Sequence, residues 1–292
     1  MKIAVVGGNG FLGKKIISVL SENGNDCVSF SRSSNNTLDI TSYDSIEKVL
    51  NDYKPDLIVN SAALTNVDYC ELHPDEAQSI NYIGAKNLGE YSKKNSLPFV
   101  QISTDYVFNG IKGGYSEIDE CSPINVYGNT KLMAEKYITE NLENYIILRV
   151  AILYGYNDDN DKETFVKRII NKVSKKELID LYFDQYGTPT FIDDVPLAID
   201  FLLKNGKHGI FHLADPQKSD RYSFGLYICN AFSLDKKFLN PVSIEEFETP
   251  AKRPRDSSLS TIKIESLGFR PTRIEEGLEK MKNQQKKVKN LT

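Results

Sequence analysis

Two side chains in the stretch NVYGNTK, residues 125–131, could do chemistry together. Tyr127 and Lys131 are four residues apart, so a helix would bring them to one face. A phenol needs roughly 4 kcal/mol of help to release its proton near pH 7, and one ammonium at ~4 Å supplies about that in a partly shielded site. The pair is a candidate for acid catalysis, although the same spacing also arises by chance on many helices.

The segments that must position this pair alternate between short apolar runs and amphipathic stretches. Strands are predicted for KIAVV, CVSF, DLIVN and PFVQIS, and the segments between them have the spacing of helices. Such alternation predicts an α/β fold with a doubly wound parallel sheet of the Rossmann type. Beyond Tyr154 the alternation loosens, which indicates a smaller second lobe that would bind substrate.

We expect the chain to cross between the two lobes more than once. The dinucleotide-binding lobe is predicted to comprise residues 1–153 and 188–214, because the second of these ranges has the apolar character of the first strands. Residues 154–187 and 215–283 are assigned to the substrate-binding lobe. The Lys-rich end, 284–292, is predicted to be a flexible basic tail.

A glycine-rich turn, GGNGFLG at residues 7–13, follows the first strand and opens the first helix. It fits a dinucleotide fingerprint with its first glycine at either Gly7 or Gly8. In this context, backbone N–H groups and the N-terminus of the helix bind a pyrophosphate. The candidate cofactor contacts in the turn are Gly7, Asn9, Gly10, Phe11, Leu12 and Gly13.

The segment after the second strand bears on the choice of cofactor. An NAD-preferring protein carries an acidic residue there for the ribose 2′-hydroxyl, about 20 residues beyond the glycine turn. This chain instead has SFSRSS, which places Arg32 directly after Ser31. An arginine suits a 2′-phosphate, although an ordinary exposed loop arginine is the alternative reading. The sequence favours NADPH, with NADH as the second choice.

Several further motifs accompany the glycine turn and the Tyr–Lys pair. They are LDI at 38–40, VNSAALTNVDYCE at 59–71, STDYVFNG at 103–110, GTPTFIDDV at 187–195 and RPRDSSLSTIKIESLGF at 253–269. With these motifs, nearly the whole chain resembles the extended short-chain dehydrogenases/reductases and, within them, the dTDP-4-dehydrorhamnose reductase family. The most specific part of the likeness is the combination of STDYVF with NVYGNTK.

The resemblance implies NADPH-dependent reduction of a 4-keto-6-deoxy sugar nucleotide, with dTDP-4-dehydrorhamnose giving dTDP-L-rhamnose. It gives Thr104 the place of the catalytic hydroxyl and Tyr127 that of the general acid. Lys131 takes the place of the residue that lowers the tyrosine pKa and holds the nicotinamide ribose. Hydride delivery to a ketone leaves negative charge on oxygen, which Tyr127 could quench while Thr104 donates a hydrogen bond to it.

Other positions follow from the same likeness. The cofactor set then includes Tyr127 and Lys131 themselves, Asp39 and Ile40 near the adenine, and Ala62, Ala63 and Thr65 in a loop along the cofactor. The substrate set comprises Thr104, Asp105, Tyr106 and Ile152. Sugar-nucleotide dehydratases carry a second acid after the threonine–aspartate pair, whereas this chain has Tyr106 there, which favours a simple reductase.

One position departs from the reductases. They commonly carry a tryptophan where this chain has Ile152 in RVAILYG, and the chain contains no tryptophan. That segment looks equally like the regulatory β subunit of methionine adenosyltransferase, a relative that binds NADP and serves as a partner protein. The alternative hypothesis is therefore an NADP-binding regulatory or interaction protein.

Composition restricts the partners. A net charge of −4 argues against nucleic acid, and no apolar run approaches the ~20 residues of a membrane span. Four scattered cysteines and a His208–His212 pair without acidic neighbours give no metal-site pattern, so no metal is expected. The N-terminal apolar run is too short for a signal peptide, which predicts a cytoplasmic protein. A homodimer is left open.

Overall fold

The structure is a computed structural model that describes residues 1–156 and 163–289, with side chains to 287. Its strands are β1 (Lys2–Val6), β2 (Asp26–Phe30), β3 (Leu57–Asn60), β4 (Phe99–Thr104), β5 (Tyr145–Val150), β6 (Leu153–Tyr154), β7 (Ile179–Tyr182), β8 (Tyr186–Gly187), β9 (Thr190–Phe191), β10 (Gly209–His212), β11 (Ser219–Asp220) and β12 (Leu239–Val242). Its α-helices are α1 (Phe11–Glu22), α2 (Tyr43–Tyr53), α3 (Val67–Leu72), α4 (Pro74–Gln78), α5 (Gly84–Lys94), α6 (Val126–Asn141), α7 (Phe165–Ser174), α8 (Asp194–Lys204), α9 (Arg221–Phe232), α10 (Ile262–Ser266) and α11 (Ile274–Lys289).

A central sheet of six parallel strands has the order β10–β5–β4–β3–β1–β2. Alternate residues of β1 serve the two faces: Ile3 and Val5 join one core, and Ala4 and Val6 join the other. The first core also takes in α1 and α8, and the second takes in α2 and α5. Helices on both faces bury a parallel sheet completely, and the prediction of a Rossmann-type α/β fold is confirmed.

The last strand of the sheet comes from far along the chain. Gly209 of β10 pairs with Ile146 of β5, after an excursion through α7 and the short strands β6 to β9. A third core packs α7, α9 and α11 against β7 and β12, through residues such as Ile169, Leu181 and Phe224. The domain boundaries themselves stay a prediction, and we treat this third core as the centre of the proposed substrate-binding lobe.

The segment predicted as a flexible basic tail, 284–292, begins within a helix. Helix α11 continues to Lys289, because Ile274, Leu278 and Met281 form an apolar stripe that is buried in the third core. Gln284 extends this attachment by donating a hydrogen bond from Nε2 to Asp193 Oδ2 at 2.7 Å. Residues 290–292 lie outside the described part of the chain, as do residues 157–162 of the acidic stretch that follows Tyr154.

Two searches of residues 1–156 and 163–289 gave no candidate. None of the helices there combines the length and the apolarity that crossing a bilayer requires. Within the same ranges, no group of three or more His, Cys, Asp and Glu side chains could hold a metal ion.

Candidate active site

Two cavities meet at the carboxyl ends of the central strands. The larger, about 1060 Å³, runs from the glycine turn to the second lobe, and the smaller, about 420 Å³, lies beside the end of β2. Gly7, Gly10, Ser61 and Ala63 line both, so the two form one continuous cleft. Open α/β sheets bind their ligands at this edge.

The backbone of the glycine turn fits a dinucleotide. Gly7 has a φ of +79°, and a Cβ there would lie 2.6 Å from the backbone nitrogen of Ala62. A Cβ at Gly13 would collide with the Gly7 carbonyl oxygen. Gly10 is the N-cap of α1, whose first turn has neither a capping side chain nor an acidic residue. The first N–H groups of α1 are therefore available to a pyrophosphate.

All of the predicted cofactor residues line this cleft. The larger cavity takes Phe11, Leu12, Gly13, Thr65, Tyr127 and Lys131, the smaller takes Asn9, Ser31, Arg32, Asp39, Ile40 and Ala62, and Gly7, Gly10 and Ala63 line both. Asp39 Oδ1 accepts hydrogen bonds from the Thr41 backbone nitrogen at 3.0 Å and hydroxyl at 2.8 Å. Arg32 is exposed. In the smaller cavity the Arg32 guanidinium is therefore exposed, whereas the Asp39 carboxylate already accepts hydrogen bonds from Thr41.

Thr104, the last residue of β4, connects the sheet to the catalytic candidates. Its Oγ1 donates to Asp105 Oδ1 at 3.1 Å and accepts from the Tyr106 backbone nitrogen at 3.2 Å, which caps a short 3₁₀ turn over Asp105–Val107. Ser257 donates to the other oxygen of Asp105. These bonds fix the Thr104 hydroxyl at the wall of the larger cavity.

Asp105 is buried in this arrangement. Burial raises the pKa of its carboxyl to about 6, although Ser257, Arg221 and Thr104 all act in the opposite direction. The carboxylate therefore gains its charge close to neutral pH. Since Asp105 lies beside Tyr127 and raises the pKa of that phenol, its ionisation keeps the phenol proton in place.

Tyr127 lies in the first turn of α6, a helix that Asn125 caps by accepting from the Gly128 backbone nitrogen at 2.8 Å. Its ring meets the Tyr106 ring edge-on, with 6.0 Å between centroids. Burial raises the pKa of Tyr127 above its ordinary range, although a hydrogen bond with Thr104 opposes the shift, and the lowering of this pKa by Lys131 stays a prediction. Tyr127 is consequently a protonated phenol at neutral pH.

Lys131, one turn further along α6, is also buried. Its Nζ donates to the backbone carbonyl of Ile102 at 2.7 Å, which uses one of the three N–H donors of the ammonium. Burial lowers the pKa of Lys131 to about 8, against the effect of Glu135. Lys131 still lines the larger cavity, where a ribose hydroxyl could reach it.

Ile152 lines the same cavity just after β5 and has an unusual backbone. Its φ is +39°, in the left-handed region that β-branched residues rarely adopt. Its Cδ1 lies against Gly187, where an added Cβ would be 3.2 Å away. Strained conformations of this kind persist where the surrounding structure fixes them, often at ligand sites.

Sequence reasoning missed the wall that faces the sheet. Three aromatic and four cationic side chains line it: Phe165, Tyr182, Phe247, Arg168, Lys172, Arg221 and Arg253. Arg168 and Arg221 both lie over the Phe165 ring, each with 5.7 Å from Cζ to the ring centroid. Arg253 opens the motif at 253–269, whereas Arg168 and Lys172 gave only the signal of two cations four apart on an amphipathic helix, a pattern that ordinary surface helices share.

The comparisons with known proteins agree with this geometry. Residues 1–287 match the family described as the RmlD substrate binding domain. The chain belongs to this family. This RmlD-family protein is 32% identical to the probable low-salt glycan biosynthesis reductase Agl14 of Haloferax volcanii, over 94% of this chain and 95% of the relative.

Two further likenesses concern the competing hypotheses. A crystal structure of dTDP-4-dehydrorhamnose reductase from Bacillus anthracis in complex with NADP has 32% identity and a TM-score of 0.90, covering 97% of this RmlD-family chain and 99% of that one. Methionine adenosyltransferase 2 subunit beta of Bos taurus is 29% identical over 92% of this chain and 83% of its own. The predicted family relationship is confirmed.

Proposed function

We propose that this protein is an oxidoreductase that uses NADPH to reduce a 4-keto-6-deoxy sugar nucleotide. One observation carries the proposal: Thr104, Tyr127 and Lys131 line the same cavity as the glycine turn, and the opposite wall of that cavity has four cations and three aromatic rings against two acids, Glu163 and Asp180. A dinucleotide fits the first side of this cleft and a sugar nucleotide fits the second. The NADP-bound relative from Bacillus anthracis supports the assignment.

The protein residues then have distinct tasks. NADPH, when bound, supplies the hydride that reduces the ketone carbon. Tyr127 donates its proton to the ketone oxygen, and its raised pKa ensures that the proton is present. Thr104 donates its single hydroxyl hydrogen to the same oxygen, in place of the bond that it makes to Asp105 without substrate. Lys131 holds the nicotinamide ribose, as the resemblance implies.

Within this class, we take dTDP-4-dehydrorhamnose as the first substrate to test. The family and the printed name of the NADP-bound relative support that choice. Ile152 offers the sugar nucleotide an apolar wall but lacks the flat face of the tryptophan that related reductases commonly carry. Weaker substrate affinity is the expected consequence.

The regulatory hypothesis has one observation in its favour. The segment with Ile152 resembles the methionine adenosyltransferase β subunit, and the bovine protein of that name is 29% identical to this chain. In that case the protein would bind NADP and attach to a partner enzyme without turning over a sugar nucleotide.

A direct assay separates the two functions. NADPH oxidation is followed with dTDP-4-dehydro-6-deoxy-L-mannose and with its UDP and GDP counterparts. We expect turnover with one of these ketones, fastest with the dTDP form. A purified protein that binds NADPH, oxidises none of it with any of the three and co-purifies with a partner enzyme would rule out the reductase in favour of the regulatory protein.

A further inference from the structure

A buried ion pair lies behind Lys131, on the side away from the cavity. Glu135 follows Lys131 by one turn of α6, and both side chains are buried. Arg149 of β5 binds the Glu135 carboxylate through Nη2, at 2.6 Å from Oε2, and through Nε, at 3.0 Å from Oε1. Such a two-point pair fixes the carboxylate in both position and plane.

The same short piece of β4 fixes both ends of the helix turn. Lys131 Nζ donates to the Ile102 carbonyl, and the hydroxyl of the next residue, Ser103, donates to Glu135 Oε1. Residues four apart on a helix lie on one face, so the Glu135 carboxylate is the nearest counter-charge on α6 to the Lys131 ammonium. One carboxylate thus binds Arg149 directly and acts on the buried Lys131 ammonium through its charge.

The outer members of this cluster include one further acid, Glu117, which accepts from the His212 backbone nitrogen at 2.9 Å and acts on Arg149 electrostatically. Arg149 Nη1 lies 3.2 Å from His212 Nε2, and Arg149 Nη2 donates to Cys121 Sγ at 3.2 Å. Burial and the neighbouring Arg149 lower the His212 pKa to about 3, so the imidazole is neutral. Its Nδ1 then donates to the Tyr115 carbonyl at 3.1 Å, which leaves Nε2 to accept from Arg149.

We propose that Glu135 is a positioning residue: its carboxylate, held by Arg149, keeps the Lys131 side chain charged and in place for the cofactor. This inference rests on the proposed function, because it assigns Lys131 to the nicotinamide ribose. Glu135 is the group that opposes the lowering of the Lys131 pKa by burial. The titratable and charged groups around the pair, taken over every element packed there, are Asp105, Glu117, Cys121, Tyr127, Arg149 and His212.

The test measures the dissociation constant of NADPH between pH 6 and pH 10. In the intact protein we expect affinity to fall as Lys131 loses its proton, with a midpoint near its pKa of about 8. In Glu135→Gln the ammonium loses its counter-charge while the Arg149 charge stays nearby, so the midpoint should move down by about one pH unit or more. In the double variant Glu135→Gln/Arg149→Gln, the repelling charge is gone and the midpoint should lie between the other two.

A matched control is Glu140→Gln, which makes the same charge change at an exposed position of α6 and should leave the midpoint unchanged. A single midpoint in all folded variants would overturn the proposal, because a merely structural ion pair would not move it. If Glu135→Gln does not fold, the double variant carries no unpaired charge and decides the question alone. A shifted midpoint without sugar-nucleotide reduction would sustain this inference while refuting the proposed function, and no NADPH binding at any pH would refute both.

Discussion

The two walls of the larger cavity differ in whether their polar side chains already have protein partners. On the sheet side, the polar groups already have protein partners: Thr104 bonds to Asp105, and Lys131 bonds to Ile102. The opposite wall includes the cations of α7, Arg168 and Lys172, and we call it the α7 wall. These two cations have no hydrogen bond or ion pair within residues 1–156 and 163–289. The difference rests on these two cations of α7, because Arg221 and Arg253 on the same side already donate to Gln185 and Asp68.

This difference indicates how the work of the site is divided. Groups that stabilise charge during a reaction act best when they are fixed beforehand, since no reorganisation is then needed. Groups that capture an anionic substrate can remain solvated until the ligand supplies the missing charge. We therefore expect changes on the sheet wall to affect turnover, pH dependence and stability, and changes on the α7 wall to affect substrate affinity alone.

The largest expected effect is on the sheet wall. Tyr127→Phe keeps the ring that packs edge-on against Tyr106 but removes the acidic proton. Turnover should fall by roughly 10²- to 10⁴-fold, the usual contribution of general acid catalysis. The dissociation constant of NADPH, measured by calorimetry, should change little. A variant that retained full turnover would show that the proton comes from another group.

The second effect concerns stability. Lys131 has a folded-state pKa of about 8 against an ordinary value of 10.5, so the unfolded chain binds more protons between these values and stability rises with pH through that window. Below pH 8 the buried ammonium costs about 3 kcal/mol. Lys131→Met removes this cost, while Gln101 Nε2 still donates to the Ile102 carbonyl.

Urea unfolding at two pH values measures this cost. Lys131→Met should exceed the intact protein in free energy of unfolding by up to about 3 kcal/mol at pH 7, and by less than about 1 kcal/mol at pH 10. A difference independent of pH would mean that Lys131 is not strained electrostatically in the folded protein.

The third effect belongs to the α7 wall. Arg168→Met and Lys172→Met should each raise the KM for the sugar nucleotide by roughly 10- to 100-fold, the range for losing a hydrogen bond to a charged group. The kcat and the NADPH affinity should stay close to those of the intact protein. Lys175→Met, at the exposed end of the same helix and outside the cavity, is the control. A decrease in kcat with an unchanged KM would show that these cations take part in the reaction, and the division of tasks between the two walls would be wrong.

The fourth effect tests the smaller cavity. The exposed Arg32 should make NADPH bind more tightly than NADH, and Arg32→Ala should narrow the gap by roughly 10-fold. NADH affinity is the internal control, because NADH lacks the 2′-phosphate and should bind both proteins alike. Equal affinities for the two cofactors in the intact protein would contradict the assignment.

The grouping of site residues on the sheet side of the cavity could be predicted from the sequence. Strands of a parallel sheet end at one edge, so residues that follow β1, β3 and β4 must lie near one another once the alternation of strands and helices is recognised. The family and the fold class are confirmed in this way. The roles of individual site residues stay predictions, as do the cytoplasmic location and the homodimer.

The α7 wall could not be predicted by the same logic. Phe165 and Tyr182 reach the cavity only because the third core packs α7 and β7 together, and that packing leaves no local pattern in the chain. The burial that raises the Tyr127 pKa is likewise invisible in the spacing of residues. Spacing showed that Lys131 is near, but only the fold reveals that the Ile102 carbonyl engages its ammonium.

The smallest expected effect is on the free energy of unfolding, at an unpaired polar group away from the cavity. Tyr154, at the centre of the third core, is fully buried, and its hydroxyl has no hydrogen-bond partner in the described part of the chain. A buried hydroxyl without a partner costs about 1–3 kcal/mol. Tyr154→Phe should therefore raise the free energy of unfolding by about 1 kcal/mol and leave the KM unchanged, unlike the cations of the α7 wall.

Tyr91→Phe is the matched control, because its hydroxyl is in the second core and donates to Asn51 Oδ1 at 3.0 Å. That variant should lose about 1 kcal/mol, the net value of a typical hydrogen bond. Opposite signs for the two variants in thermal unfolding would show that the Tyr154 hydroxyl is unpaired in the folded protein and that the Tyr91 hydroxyl is not. If Tyr154→Phe instead lost stability, the Tyr154 hydroxyl would have a hydrogen-bond partner in the folded protein, and the prediction would be wrong.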